Sequence, residues 1–392
     1  MKKLLYMKQF IISLTLVSFL FFNPLFGLNE NANAELNAAK EESLSECLFE
    51  SDQGQNNDII LFPKSSGDFV MGYKNIELID TSRNDPYHAG KRRLKITLYY
   101  PSTASSAYLE PYGEEETLFW HRELTAVPSL KEHFNVIMNE FRTLRIHKAL
   151  NAEPLPGKYP VIVFNHGFGV TAGSYQSLFQ ELVSHGYIIC AIHNPYIADT
   201  VIFQNEDKLF RKAQKDETAV NTCIDDATFV LSFLPEIEYF HEVMDLDKIG
   251  ILGHSLGGIT SMVIARTNAQ IKSVVSLDAP IEDLAAYEDG SKGFDKPFLH
   301  LFANKDSYSK TSLKVNNFKA FIVDTEHNSF ADHEVLEKII PFFKEESELD
   351  FSKYHTITAL IRLFFDQFLK NDHENPIMSF NNRDVLLETV KE

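Results

Sequence analysis

Cysteine is scarce in this chain of 392 residues, and positive charge is in deficit. Three cysteines cannot supply the several cross-links of a disulfide scaffold. The 37 basic residues are outnumbered by 55 acidic ones, which gives a formal net charge of −18. A chain of that charge is poorly suited to binding phosphate backbones or anionic lipid. We therefore expect no nucleic-acid partner.

Motifs of metal and nucleotide enzymes are also missing. The chain has no H-E-x-x-H, no paired C-x-x-C, no G-x-G-x-x-G and no Walker loop. Asp332, His333 and Glu334 form a short acidic cluster, which we interpret as solvated surface on a helix. We therefore expect a protein without metal or cofactor, and nothing in the sequence indicates an obligate protein partner.

The first 34 residues have the order of charged and apolar residues that is typical of a secretory signal. Three lysines precede an uncharged run at residues 10–22, Asn23-Pro24 ends that run, and Ala32-Asn33-Ala34 is a small-x-small cleavage site. The uncharged run is too short to span a bilayer. We expect residues 1–34 to be a signal peptide and the protein to be exported, either to the periplasm or outside the cell.

The rest of the chain is expected to divide into an arm and one domain. Residues 35–66 are acidic and polar without periodicity, which predicts a poorly ordered arm, and residues 67–392 are expected to form one catalytic domain. Cys47 falls in the arm, Cys190 in an apolar run typical of a buried strand, and Cys223 in a helical segment. The sequence leaves open whether any two of them form a disulfide.

Short apolar segments alternate with helical patterns along this domain. Strands are predicted at residues 94–100, 161–165, 187–192, 249–252, 273–277, 297–303 and 319–323. We expect Pro101 to end the first strand, and the clearest helix lies at 256–267. This alternation predicts an α/β fold, with a mostly parallel central sheet and helices on both faces. Residues 102–157 and 196–216 do not fit it and are predicted to be lid-like insertions, which either cover a substrate or pack on the domain edge.

The last helix has the most regular pattern. Its apolar residues, spaced along one helical face, are Ile357, Leu360, Ile361, Phe364, Phe365 and Phe368. A helix lying on a membrane surface would be strongly basic on its polar face, and this one is not. We therefore expect it to pack on the core.

Gly253-His254-Ser255-Leu256-Gly257 is the central motif. It follows a predicted strand and opens a predicted helix, which is the setting of a nucleophile elbow. Glycines let the turn close, and Ser255 would project from the top of the sheet. The backbone amide of Leu256, at the start of the helix, would point at a developing oxyanion.

A serine nucleophile needs a base that an acid orients, and in this type of hydrolase the chain order is serine, acid, histidine. His327 stands in a polar loop after a late strand and is the preferred base, while His333, six residues on, is its rival. Asp278 and Asp306 each follow a strand and could serve as the acid. Physical reasoning from the residues alone does not choose between these two aspartates.

A second oxyanion donor is predicted upstream of the elbow. Asn165-His166-Gly167-Phe168-Gly169 ends a strand with an H-G-x-G loop, whose glycines allow close approach to a substrate. The backbone amide of Phe168 would be the donor. The loop is a weak motif alone, and it becomes specific when paired with the elbow.

Taken together, these motifs resemble the α/β-hydrolase superfamily and, within it, the plasma-type platelet-activating factor acetylhydrolase-like esterases. The resemblance covers about residues 68–372, apart from the two insertions. It implies that the acid is Asp278, since this family places its aspartate after the strand that follows the elbow helix. It also implies an exported serine esterase that acts on short-chain acyl esters or on the sn-2 ester of oxidised phospholipids.

The resemblance implies a small-molecule ester or phospholipid as the partner, with transient contact to a membrane or lipoprotein surface. Two alternatives stay open. A cutinase-like esterase or triglyceride lipase would use Asp306 as its acid, and a binding module would keep the fold without catalysis. In the lipase alternative, residues 102–157 would form the lid.

Overall fold

The strands and helices begin and end close to the apolar segments of the sequence. The computed structural model describes residues 59–105, 107–280, 295–310, 317–344, 350–374 and 376–389. The strands are β1 (Ile60–Leu61), β2 (Val70–Asn84), β3 (Lys91–Ser102), β4 (Glu110–Pro111), β5 (Leu144–Ile146), β6 (Lys148–Leu150), β7 (Tyr159–Asn165), β8 (Ile188–His193), β9 (Thr200–Ile202), β10 (Lys208–Phe210), β11 (Met244–His254), β12 (Ile271–Leu277), β13 (Phe298–Phe302), β14 (Asn317–Ile322) and β15 (Val385–Thr389). The α-helices are α1 (Glu114–Thr125), α2 (Phe134–Thr143), α3 (Gln176–Ser184), α4 (Glu217–Phe233), α5 (Leu256–Thr267), α6 (Lys305–Lys310), α7 (His333–Ile339) and α8 (Ser352–Leu369).

A ten-stranded sheet organises the described part of the chain. Its strand order is β15-β14-β13-β12-β11-β7-β8-β3-β2-β6. The six strands from β8 across to β14 run parallel to one another. Antiparallel pairs stand at the two margins, where β3 pairs with β8 and β2, and β15 pairs with β14. The prediction of a mostly parallel central sheet is confirmed.

Helices cover both faces of this sheet because its central strands are apolar on both sides. In β7, Ile162 and Phe164 belong to one apolar cluster while Val161 and Val163 belong to another, as the alternation of strand side chains requires. Helices α3 and α8 supply side chains to the first cluster, and α4 and α5 supply the second. The predicted apolar residues of α8 lie in the first cluster, so its expected core packing is confirmed.

One predicted strand boundary is wrong, and some strands were missed. Strand β3 does not end at Pro101, which pairs with Met71 of β2 and is followed by Ser102 in the same strand. Proline is tolerated there because β8 pairs with β3 only over Lys95–Tyr99, so no neighbouring strand needs the missing N–H. Strands β2 and β15 were not predicted, since both mix exposed polar residues with apolar ones.

The insertion at 102–157 is built into the domain. It contains β4, α1, α2, β5 and β6. Trp120 of α1 is 2% exposed, stacks on Phe141 of α2 at 5.0 Å between ring centroids, and lies 4.6 Å from the ring of His333 in α7. Of the two expectations for this segment, packing on the domain describes its core. The insertion at 196–216 forms the hairpin β9–β10.

The predicted arm ends earlier than expected. Strand β1 pairs with β5, and Phe62 is 2% exposed within the first apolar cluster. Residues 59–66 therefore belong to the domain, because their apolar side chains find a place in its core. The signal peptide, the rest of the arm and Cys47 lie outside the described residues.

Cys190 lies on β8 and Cys223 on α4, as the sequence predicts, and both are buried free thiols. Burial raises the pKa of the Cys190 thiol to about 12, so it stays protonated near neutral pH. None of the helices within the described ranges is both long enough and apolar enough to cross a bilayer.

Candidate active site

Ser255 stands on a sharp turn between β11 and α5. Its backbone has φ 54° and ψ −118°, which is unusual for a residue with a side chain. The turn closes because the positions two residues before and two residues after Ser255 are glycine. A Cβ on Gly253 would overlap the carbonyl oxygen of Gly257, and a Cβ on Gly257 would overlap that of Asn165. The local sequence thus builds the predicted elbow.

His327 and Asp278 meet beside this turn. His327 Nδ1 lies 2.7 Å from Asp278 Oδ2, within hydrogen-bond distance. The other carboxylate oxygen of Asp278 accepts a bond of 2.9 Å from the backbone amide of Ala303. Although burial raises it, these bonds and the charge of His327 bring the pKa of Asp278 below its usual value. Since Nδ1 faces the carboxylate, the nitrogen suited to act as base is Nε2.

The rival residues occupy other surroundings. Asp306 is exposed in the first turn of α6, and its backbone amide bonds to the side chain of Asn304. His333 is buried in α7 against the rings of Phe119 and Trp120. The structure brings neither of them to the pair formed by Asp278 and His327.

The two predicted oxyanion donors lie at the ends of neighbouring strands. Leu256 is the first residue of α5, and Phe168 lies in the turn after β7, next to Gly169 with φ 72°. Within the residues that the structure describes, neither backbone amide donates to another protein group. Amides at such positions are suited to stabilise negative charge on a substrate oxygen.

A hydrogen-bonded chain links the H-G-x-G loop to the histidine loop, and sequence reasoning missed it. The amide of Gly167 donates to the Tyr175 hydroxyl at 3.2 Å, and that hydroxyl lies 2.8 Å from Nδ1 of His254. On its other side, His254 Nε2 lies 3.0 Å from the backbone oxygen of His327. The bonds fit together if the hydroxyl donates to Nδ1 and Nε2–H donates to the carbonyl.

This series of hydrogen bonds from Gly167 to His327 requires a neutral imidazole at His254. Burial and the charge of His327 lower the pKa of His254 well below its usual value, which keeps the ring neutral. The only sequence signal for the chain is that His254 directly precedes the nucleophile.

The place of Asp332 was predicted wrongly. It is 1% exposed, and His333 and Glu334 are also buried, so the cluster is not solvated surface. The Asp332 carboxylate accepts bonds from the Gln176 and Ser177 amides at 2.9 and 3.0 Å and from the Tyr112 hydroxyl at 2.9 Å. It thereby caps the start of α3 and fixes the segment that follows His327.

The architecture of this protein is the α/β-hydrolase fold. Its sheet is mostly parallel, with a serine on the turn after β11, an aspartate after β12 and a histidine after β14. A solved structure of ferulic acid esterase from Streptomyces cinnamoneus shares that fold with a TM-score of 0.68, at 22% sequence identity. The match covers 85% of this chain and 100% of that one. The chlorophyllase family model matches residues 142–282.

Relatives found by sequence indicate a smaller group of proteins within this fold. Platelet-activating factor acetylhydrolase from Bos taurus is 24% identical over 222 residues, which cover 47% of this chain and 49% of that protein. The protein of that name from Gallus gallus is 22% identical, covering 51% and 60%. Chlorophyllase type 0 from Chenopodium album is 30% identical over 38% of this chain and 43% of its own length.

The chain thus spans about half the length of the curated relatives that it matches. The resemblance to platelet-activating factor acetylhydrolase-like proteins with the α/β-hydrolase fold is confirmed. Nowhere in the described ranges do three histidine, cysteine, aspartate or glutamate side chains converge as metal ligands.

Proposed function

We propose that this chain is an exported serine esterase whose nucleophile is Ser255, whose base is His327 and whose acid is Asp278. The observation that carries the proposal is the 2.7 Å contact between His327 Nδ1 and Asp278 Oδ2, beside a serine on a strained elbow. A serine held in this way is the arrangement that acyl transfer needs.

In the proposed reaction, Ser255 Oγ attacks the ester carbonyl while His327 Nε2 takes its proton. Asp278 holds the imidazole in the tautomer with hydrogen on Nδ1 and stabilises the imidazolium that forms. His327 then gives the proton to the leaving alcohol, which departs and leaves an acyl-enzyme. Water activated by the same histidine releases the acid and restores the serine.

The negatively charged oxygen of the tetrahedral intermediate would lie between the H-G-x-G loop and the start of α5. The amides of Phe168 and Leu256 would donate to the oxyanion, each contributing about 3 kcal/mol of stabilisation. Tyr175 bonds to the Gly167 amide and to His254, and His254 bonds to the His327 carbonyl. These hydrogen bonds fix the position of the oxyanion loop relative to the base.

The substrate class is proposed from the relatives. Two of them are platelet-activating factor acetylhydrolases, and the solved structure with the same fold is a ferulic acid esterase. We infer that this chain hydrolyses carboxylic esters with short acyl groups, the sn-2 ester of oxidised phospholipids among them. Such a substrate implies transient contact with a membrane or lipoprotein surface. Export rests on residues 1–34 alone.

Hydrolysis of p-nitrophenyl esters from C2 to C16 by the purified protein tests this proposal, with Ser255→Ala as its partner variant. We expect activity highest at C2 to C4 and absent from the variant, together with labelling of Ser255 by a fluorophosphonate. Highest activity at C8 or longer would instead favour a lipase. If the protein shows no hydrolysis and no labelling, a binding module without catalysis would be the better description.

A further inference from the structure

A cavity that Ser255 does not line lies at the margin of the sheet, where β2 and β3 pair. It has a volume of about 460 Å³, and residues 110–116, from β4 to the first turn of α1, line it. Tyr73, Thr97 and His193, from three adjacent strands, line its floor. None of the residues assigned to the proposed reaction lines it. Its size falls within the usual range of small-ligand pockets, about 300–1,000 Å³.

Negative charge exceeds positive charge on the wall of this cavity. Two lysines line it, and its five glutamates are at positions 77, 110, 114, 115 and 116. Glu115 is paired with Lys95 at 2.6 Å, and Glu114 with Lys208 at 2.8 Å. Within the described ranges, no basic nitrogen lies within ion-pair distance of the other three carboxylates.

The second lysine, Lys148, bonds to neutral groups instead of a carboxylate. Its Nζ donates to the backbone oxygen of Tyr112 at 3.0 Å and to Gln176 Oε1 at 2.5 Å. The same ammonium lies 4.9 Å from the centre of the Tyr73 ring, so this ring already accepts a cation on its face. The cavity therefore combines aromatic walls with carboxylates that form no direct ion pair within the described ranges.

Glu116 is the carboxylate most in need of a counter-ion. Its side chain is enclosed, with the residue 5% exposed, and it accepts a bond of 3.0 Å from the Thr171 hydroxyl. The backbones of Gly113 and Gly173 press against it so closely that a Cβ on either would overlap the carboxylate. Burial, with the charge of Glu115, raises the pKa of Glu116 to about 7. The charge of Lys148 offsets part of this rise, but no ammonium of the described residues pairs with the Glu116 carboxylate directly. A buried charge without a direct ion pair is costly, and a bound cation would lower that cost.

We propose that this cavity is a binding site for a small organic ammonium ion. The ammonium would pair with Glu116 and its alkyl part would lie along the rings of Tyr73 and Tyr99. Glu110, across the same cavity, would pair with a second ammonium group in a diamine. A bare metal ion fits less well, because no three acidic or histidine side chains of the described residues converge on one point.

Isothermal titration of the purified protein with 1,4-diaminobutane at pH 8 tests this site. We expect one binding event per chain. Glu116→Gln keeps the shape and the bond from Thr171 but loses the charge, so its affinity should fall at least tenfold. Glu132→Gln makes the same change at an exposed residue of the same insertion and should bind as the wild type does.

Absence of binding by the wild-type protein, or equal affinity in Glu116→Gln, would overturn the proposal. So would equal binding of uncharged 1,4-butanediol or of calcium chloride, since either would show that the ammonium group is not recognised. If Glu116→Gln fails to give the wild-type near-UV circular dichroism spectrum, Glu110→Gln serves as the second charge-removing variant. Titration does not depend on Ser255, so a chain without esterase activity would still give a result.

Discussion

At the scale of single residues, the site depends on strained backbone as much as on side chains. Ser255 has φ 54° and Asp278 has φ 43°, and they follow the adjacent strands β11 and β12. Such conformations cost a residue with a side chain about 1–3 kcal/mol. The Ser255 amide bonds to the Leu277 carbonyl at 2.9 Å, and the Asp278 amide to that of Leu301 at 2.8 Å. Each strained turn is thus fastened to the next strand of the sheet.

Asp278→Asn should lower kcat by about 10⁴-fold, because the amide no longer favours the productive tautomer of His327. Asp306→Asn is the matched control and should keep wild-type kcat, since Asp306 is exposed. Steady-state hydrolysis of p-nitrophenyl acetate measures both. A loss confined to Asp306→Asn would reverse the assignment of the acid.

Tyr175→Phe should lower kcat about tenfold, because it removes the hydroxyl that joins Gly167 to His254 and leaves both partners without their bond. KM should change less, since the variant disturbs the alignment of the base more than substrate contacts. Tyr354→Phe, which loses a bond to the Ser177 carbonyl instead, is the control. Equal kcat losses in the two variants would mean a general loss of stability.

The residues proposed for the reaction could be predicted because each follows a strand in a short recognisable segment. The acid could not be chosen from the residues alone, because Asp278 and Asp306 end neighbouring strands and only the fold shows which faces His327. The series of hydrogen bonds through Tyr175 could not be predicted for another reason. Its members come from three separate segments and carry no spacing that a sequence displays.

At the scale of elements, one buried ion pair joins the sheet to α4. Arg92 of β3 and Asp226 of α4 are both fully buried, and Arg92 Nη2 lies 2.6 Å from the Asp226 carboxylate. The same carboxylate accepts a bond from Arg83 of β2 at 2.9 Å and from Asn194 at 3.0 Å. Arg92 also bonds to Asp85 at 2.8 Å, so its charge is compensated from two sides.

Asp226→Asn should lower the free energy of unfolding by about 3–5 kcal/mol, because it leaves Arg92 buried with too little negative charge. Asp225→Asn, at the neighbouring and exposed position, should change it by less than about 1 kcal/mol. Urea denaturation followed by circular dichroism measures both. A small effect in Asp226→Asn would show that Asp85 suffices to hold the guanidinium.

Elements of the central sheet were predicted well and those of its margins poorly. Central strands such as β7 and β8 are buried on both faces and form continuous apolar runs. The marginal strand β2 has few fully buried residues, so its sequence resembles a polar loop. The insertion at 102–157 pairs with β1 and β2 and packs Phe119 and Trp120 against His333 of α7, and such contacts between distant segments leave no local pattern in the sequence.

At the scale of the whole molecule, buried neutral histidines make stability depend on pH. Burial lowers the pKa of His166 to about 4, of His300 to about 3 and of His333 to about 4. In the unfolded chain these groups bind a proton near pH 6.5. Below that pH the unfolded state binds more protons than the folded state, so stability is lost as the pH falls from 6.5 towards 4.

His300→Leu should reduce this loss. Neither ring nitrogen of His300 has a hydrogen-bond partner among the described residues, so the apolar variant gives up no bond. Between pH 7.5 and 5.0 the wild-type protein should lose about 2 kcal/mol more than the variant. Urea denaturation at pH 7.5, 6.0 and 5.0 measures the difference. His241→Gln, whose side chain is 64% exposed, should keep the wild-type pH dependence.

Because Ser255 has a left-handed backbone conformation, hydrolysis and stability favour different residues at position 255. Glycine adopts this conformation without the penalty that serine bears, so Ser255→Gly relieves strain while it removes the nucleophile. A lineage that no longer needed hydrolysis would gain folded protein by fixing that change. Serine at position 255 is therefore the residue that continued use of the site would have to preserve in every generation.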